Sequence, residues 1–219
     1  MNNTPQRPNK MFCDFKDFVI KQDHPCIMAQ TVFKMDEVEF HSYPNITSAE
    51  TTKNLLKDLE EYVQAYDFES NEFLTFIAGF EGQRDYSEEE FEALLWQQLQ
   101  MLHEADHYEW DADVNDDSSS DEFSFSLIGK AFYVVGMHPN SSRIARQSPF
   151  PTIVFNLHWQ FEKLRQMGSY ETVRDRIRER DEELQGSMNP MLSDFGKGSE
   201  AKQYSGKKVD DNWKCPFHK

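Results

Sequence analysis

Apolar and polar positions along this chain follow two periods, and together they divide it into helical and extended stretches. Leu55, Leu56, Leu59, Tyr62, Val63 and Tyr66 recur every three to four residues, a spacing that gathers them on one helical face. Just upstream, Thr47 and Glu50 are spaced as a capping box, where hydroxyl and carboxylate satisfy free amides at a helix start. Ser87 and Glu90 repeat that signal ahead of Phe91, Leu94, Leu95, Leu99 and Leu102, which predict a second amphipathic helix. Phe73–Gly79 is an apolar run of strand length. Phe123, Phe125 and Leu127 alternate with polar residues, and Gly129-Lys130 predicts a turn into Ala131–Gly136, making a hairpin. Thr152–Phe155 is a further strand. Helical spacing resumes from Leu157 to Met167 and from Tyr170 to Leu184, where Val173, Ile177 and Leu184 predict a narrow buried stripe. Cys26–Phe40 mixes apolar residues with charge and predicts one or two short strands.

The remaining stretches are polar. Glu109–Glu122 is acidic and Ser-rich with few apolar residues, so it is expected as an exposed loop. After Gly186 the chain is irregular in pattern. Met191, Leu192, Phe195, Tyr204, Trp213 and Phe217 still need burial, which predicts an ordered C-terminal wrap. Residues 1–10 are polar and expected as a disordered arm. The class that follows is α+β: one domain over 11–219, with a mixed or antiparallel sheet and helices packed on it.

Composition narrows the function. A net charge of −16 argues against general nucleic-acid binding, which needs a basic footprint. Apolar runs stay well short of a membrane span, so no membrane partner is expected. Three scattered cysteines suit neither a disulfide framework nor a four-cysteine zinc site, and a reducing cytoplasm fits them.

The candidate chemistry gathers in the middle third. An apolar run delivers His138, Ser141, Ser142, Arg143 and Arg146 into a loop, and the next delivers Asn156, His158 and Gln160, with Glu162 a further possible acceptor beside His158. Imidazole ligates metals, and arginine forks pair with carboxylates or phosphates. His41, and Cys26 beside His24, are further ligand types. Their bland readings are a surface histidine and an inert buried thiol. His103, Glu104 and His107 match H-E-x-x-H, which on one helix could hold zinc with Glu104 as general base. The alternative is a plain helix end. Arg174, Arg176, Arg178 and Arg180 alternate with acids and read as a solvated helix face.

Several segments carry a resemblance: Pro25-Cys26, Phe132–Arg146, Val154–Arg165, Ile177–Asp181, Gly186–Gly196, Ser199–Gly206 and Trp213–Phe217. In this order they resemble the YqcI/YcgG family over nearly the whole chain. The resemblance implies a haem-dependent N-oxygenase acting on guanidino or amino-acid-like molecules. It implies haem b, dioxygen and an external redox partner of the reductase or ferredoxin type, and leaves a homodimer open. Under it, His158 or His138, with His41 third, would meet the iron. Ser142, Arg143 and Arg146 would receive anionic groups of the cofactor. Asn156, Gln160 and Glu162 would serve the reaction, and Arg165 and Glu200 the substrate. A haem sensor or carrier without turnover, and a zinc hydrolase built on His103, Glu104 and His107, are the alternatives.

Overall fold

The computed structural model describes residues 10–219 except Asn71. Five strands form one mixed sheet: β1 (Val38–Tyr43), β2 (Thr75–Phe80), β3 (Phe125–Leu127), β4 (Lys130–Met137) and β5 (Thr152–Leu157). Their order is β1-β2-β5-β4-β3, with β1 and β2 parallel and every other pair antiparallel. Around it pack α1 (Lys10–Ile20), α2 (Ile27–Met35), α3 (Ala49–Ala65), α4 (Glu88–Ala105), α5 (His158–Gln166), α6 (Tyr170–Gln185) and the short α7 (Ala201–Tyr204). The architecture is the α+β class that the pattern predicts. No described helix is long and apolar enough to cross a membrane.

Local chemistry explains most boundaries. Ser87 and Glu90 close the capping box at the start of α4. The β3–β4 hairpin turns through Ile128 and Gly129, both at positive φ (57° and 66°), the two-residue turn that matches strand twist.

Elsewhere the structure corrects the pattern. Ser48, not Thr47, caps α3, its hydroxyl accepting from Thr51 N–H. Thr47 instead sits at φ 64° and donates its N–H to buried Gln98. Cys26–Phe40 is mainly the helix α2, capped by Cys26 Sγ and stopped by Asp36 in the left-handed region. Met11, Phe15, Phe18 and Val19 bury one face of α1, a helical spacing from which no element was predicted. Lys10, placed in the N-terminal arm by its composition, begins that helix, and residues 1–9 lie outside the described residues. The stripe of α6 is not a packed core, because Leu184 is exposed and only Asp181 is buried. Residues 109–122 form no helix or strand. Within them Trp110 packs on Phe123, and Asp111 accepts from Ala131 N–H, so this stretch is pinned to the hairpin.

Side chains alternate across a strand, so each strand feeds two different layers. Phe76 and Phe80 of β2, Phe132 of β4 and Phe155 of β5 face α3 and α4 in a close-packed aromatic core. Close approach there needs Gly136, where a Cβ would lie 2.9 Å from Phe91 and from the Tyr204 carbonyl. The opposite side of the sheet is walled by α1, α2, α5 and α6.

Candidate functional site

On that opposite side the layers do not meet. A cavity of about 320 Å³ lies between the sheet and the four helices, within the size range of small-molecule sites. Ile77, Val135 and Val154 form its floor, and α1 and α2 give it an apolar end through residues such as Phe15 and Phe33. Its other end is cationic. Arg143, Arg146, Arg165, Arg174 and Arg178 line it against three carboxyl groups, Asp181, Asp194 and Glu200. In a chain of net charge −16, a cavity with surplus arginine favours an anionic ligand.

Two of these arginines come from the loop after β4. Arg143 is buried, donates to Asp181 at 2.5 Å, and contacts the Ser187 carbonyl at 2.9 Å. Arg146 is buried too, but its guanidinium meets only backbone carbonyls, those of Gly136 (2.8 Å), Gln203 and Tyr204. Burial pushes its pKa down from the usual arginine value. Among the described residues it has no ion-pair partner, which makes it the wall's free cation.

His158 opens α5 at the C-terminal end of β5. It is 6% exposed, and its Nε2 has no hydrogen-bond partner among the described residues. Phe195 packs 4.5 Å from its ring, and Glu200 Oε1 lies 3.9 Å from Nε2. Burial holds its pKa below the ordinary histidine value, against the pull of Glu162. The ring is therefore neutral near pH 7, and its Nε2 carries either a free lone pair or an unspent proton. Glu200 is equally buried, and burial raises its pKa to about 7, with Ser124 and Tyr204 opposing. The Tyr204 hydroxyl contacts Glu200 Oε2 at 3.3 Å. Among the described residues no lysine or arginine pairs with Glu200, whereas Asp181 and Asp194 are both neutralised by arginines.

His24 and Cys26 also line the cavity, but their polar atoms are spent. His24 Nδ1 accepts from Cys26 N–H at 3.1 Å, and Nε2 donates to the Ala145 carbonyl at 2.9 Å. Burial lowers the His24 pKa to about 4. Cys26 Sγ accepts from Ala29 N–H, and burial raises the thiol pKa. Arg180 reaches across from α6 to the carbonyls of Asp23, His24 and Pro25 and fixes this corner.

The tertiary structure thus separates residues that the sequence grouped. His158, Asn156, Arg143, Arg146, Arg165 and Glu200 meet at the cavity. Its floor includes Asn156, whose Oδ1 accepts from Thr75 at 3.2 Å. His138 lies on the other side of the sheet, 4.5 Å above the Phe91 ring, and His41 stacks on Phe76 and pairs with Glu39 and Asp58. Neither lines the cavity, because adjacent strand positions face opposite ways. Exposed Ser142 is bound to Glu88 at the start of α4. Gln160 donates to the Leu74 carbonyl, and Glu162 pairs outward with Arg165. His103 packs against Trp110 and Phe217, while α4 ends at Ala105, so His103 and His107 share no helical face. Among the described residues no group of three His, Cys, Asp or Glu side chains is arranged to hold a metal ion. Arg174 and Arg178, read as solvated, instead turn inward to Asp194. Their i,i+4 spacing was the only sequence signal for that shared face.

Two relatives match most of the chain. Both are from Bacillus subtilis (strain 168) and are named "Uncharacterized protein YqcI" and "Uncharacterized protein YcgG". The first is 27% identical over 209 residues, covering 89% of this chain and 80% of its own length. The second is 25% identical over 209 residues, covering 88% and 80%. No solved structure matches significantly. The model of the YqcI/YcgG family matches residues 15–218, the span that contains every cavity residue named above, and the chain belongs to that family.

Proposed function

We propose that the chain is a haem-dependent oxidoreductase that hydroxylates a nitrogen of a small guanidino or amino-acid-like molecule. The single observation that carries this reading is the buried, unpartnered Nε2 of His158 on the wall of an amphipathic, arginine-rich cavity. The residues fit an iron porphyrin chemically. His158 would meet the iron, the apolar floor and the α1–α2 end would take the macrocycle, and Arg146 would face a propionate. When bound, haem b supplies oxygen activation, with electrons from an external reductase or ferredoxin-type partner.

The chain's own residues supply the rest. Among the described residues Glu200 is the cavity carboxyl that pairs with no lysine or arginine, so it would receive a guanidinium or ammonium group. A cation beside it would lower its raised pKa, so the carboxyl would ionise as that cation binds. Phe195 and Leu192 line the pocket beside these groups.

The test is titration of purified protein with hemin, followed by absorption. One equivalent bound with a sharp Soret band is expected. Loss of that band is expected in His158→Ala and retention in His138→Ala and His41→Ala. A folded chain that takes up no stoichiometric hemin would end the reading. Oxygen and NADPH consumption with a reductase and a guanidino compound then separates turnover from a sensor or carrier.

A further inference from the structure

Asp194 lies on the strap of residues 189–197 that follows α6 and covers part of the cavity. Its side chain is largely buried, and its two oxygens are read separately. Arg174 Nη1 donates to Oδ2 at 2.9 Å and Arg178 Nη2 to Oδ1 at 2.7 Å. The two arginines stand one helical turn apart on α6, so both forks reach one carboxylate from the same side. Lys197 adds a third positive group at 3.7 Å. Arg174 has a second partner in Asp175, whereas Asp194 is the one ion-pair partner of Arg178 among the described residues.

Position matters as much as charge. Outside the cavity lies a second, polar hollow, lined by Arg165, Tyr170, Arg174, Asp194, Phe195 and Lys197 among others. The first five of these also line the main cavity. Asp194 and Phe195 therefore form part of the partition between the outer hollow and the inner cavity. Phe195 is the ring that covers His158. One short strap carries both the carboxylate on the two arginines and the cover over the unpartnered imidazole.

We propose that Arg174 and Arg178 form a carboxylate-binding subsite at the mouth of the cavity, and that Asp194 is its built-in occupant. An incoming ligand carboxylate takes the place of the Asp194 side chain, one oxygen to each guanidinium. Release of Asp194 frees the strap, and with it Phe195, from the face of His158. Because the ligand competes with a tethered carboxylate, its apparent affinity is reduced by the fraction of chains in which Asp194 is bound. This inference rests on the cavity being a ligand site, not on the identity of the cofactor. The carboxylate could belong to an amino-acid-like substrate or to a porphyrin propionate, and the probes below tell these apart.

The experiment is titration calorimetry of the full chain with two matched pairs of probes. L-Arginine is compared with agmatine, its counterpart without the carboxylate, and hemin with its dimethyl ester. Asp194→Asn removes the competing charge and is expected to tighten the carboxylate member of a pair about tenfold, leaving the other unmoved. Arg178→Gln is expected to weaken the same member about tenfold. A response in the arginine pair assigns the subsite to substrate, and in the hemin pair to cofactor. An arginine response with no hemin uptake would remove haem from the proposed function and leave the subsite standing. Should Asp194→Asn not fold, the Arg178→Gln arm decides alone. The proposal is overturned if both members of a pair shift equally, if neither variant changes carboxylate binding, or if none of the four probes binds.

Discussion

The two faces of the one sheet are built from the same strands and have opposite character. Toward α3 and α4, Phe76, Phe132 and Phe155 are fully buried and packed edge to face. Toward α1, α2, α5 and α6, the neighbouring positions are Ile77, Tyr133, Val135, Val154 and Asn156, and the layers stand apart over a cavity. A strand places alternate residues on opposite sides, so large rings fall on one face and shorter aliphatic or polar groups on the other. The first face holds the fold together. The second has too little apolar volume to close, and arginines with backbone or strap partners complete it.

That contrast has measurable consequences. The largest is in stability. Phe155→Ala empties part of the filled face and is expected to cost about 3–5 kcal/mol in urea unfolding. Val135→Ala, whose side chain already borders empty space, is expected to cost only about 1 kcal/mol. Equal costs would mean that the hollow face is packed in solution.

Next comes pH. Burial raises Glu200 from 4.5 to about 7, so the folded chain favours its protonated form. The stability tied to this proton is fully present below pH 4.5 and is lost as pH rises through about 7. His24 acts in the opposite sense. Its pKa falls from 6.5 to about 4, so its stability is present above pH 6.5 and lost as pH falls toward 4. Glu200→Gln removes only the first effect. It is expected to remove a loss on the order of 3 kcal/mol between pH 4.5 and pH 8. Urea midpoints of both proteins across that range check it, and parallel curves would show that Glu200 titrates alike in the folded and unfolded chain.

The smallest effect separates two histidines. His138, buried on Phe91 with Nδ1 unpartnered among the described residues, belongs to the filled face. His138→Ala is expected to cost about 2 kcal/mol with hemin binding intact. In His158→Ala the order reverses, with hemin binding lost and stability changed by about 1 kcal/mol or less. A variant of His138 that binds no hemin while remaining folded would move the proposed ligand across the sheet.

The pattern of the chain was enough for the class and for most elements. The alternating run Phe123–Leu127 became β3, apolar runs became β2, β4 and β5, and periodic leucines became α3 and α4, because burial of a continuous face is a local property of spacing. It was weakest in Cys26–Phe40, where charge interrupts the period and α2 reads as strand. Among site residues, His158, Arg143, Arg146, Asn156, Arg165 and Glu200 could be picked out by residue type and position, yet His138, His41 and Ser142 looked equally suitable.

Sequence alone determined which residues are chemically able to bind or titrate and, outside α1, α2 and the short α7, which runs become helices or strands. Only the tertiary structure decided which of them share a space. Whether a strand-end histidine faces the aromatic core or the cavity turns on strand parity and on where the chain next turns. Whether Arg174 and Arg178 meet solvent or Asp194 depends on a strap that returns from sixteen or more residues away. Those are properties of packing between distant segments, and local spacing carries no record of them.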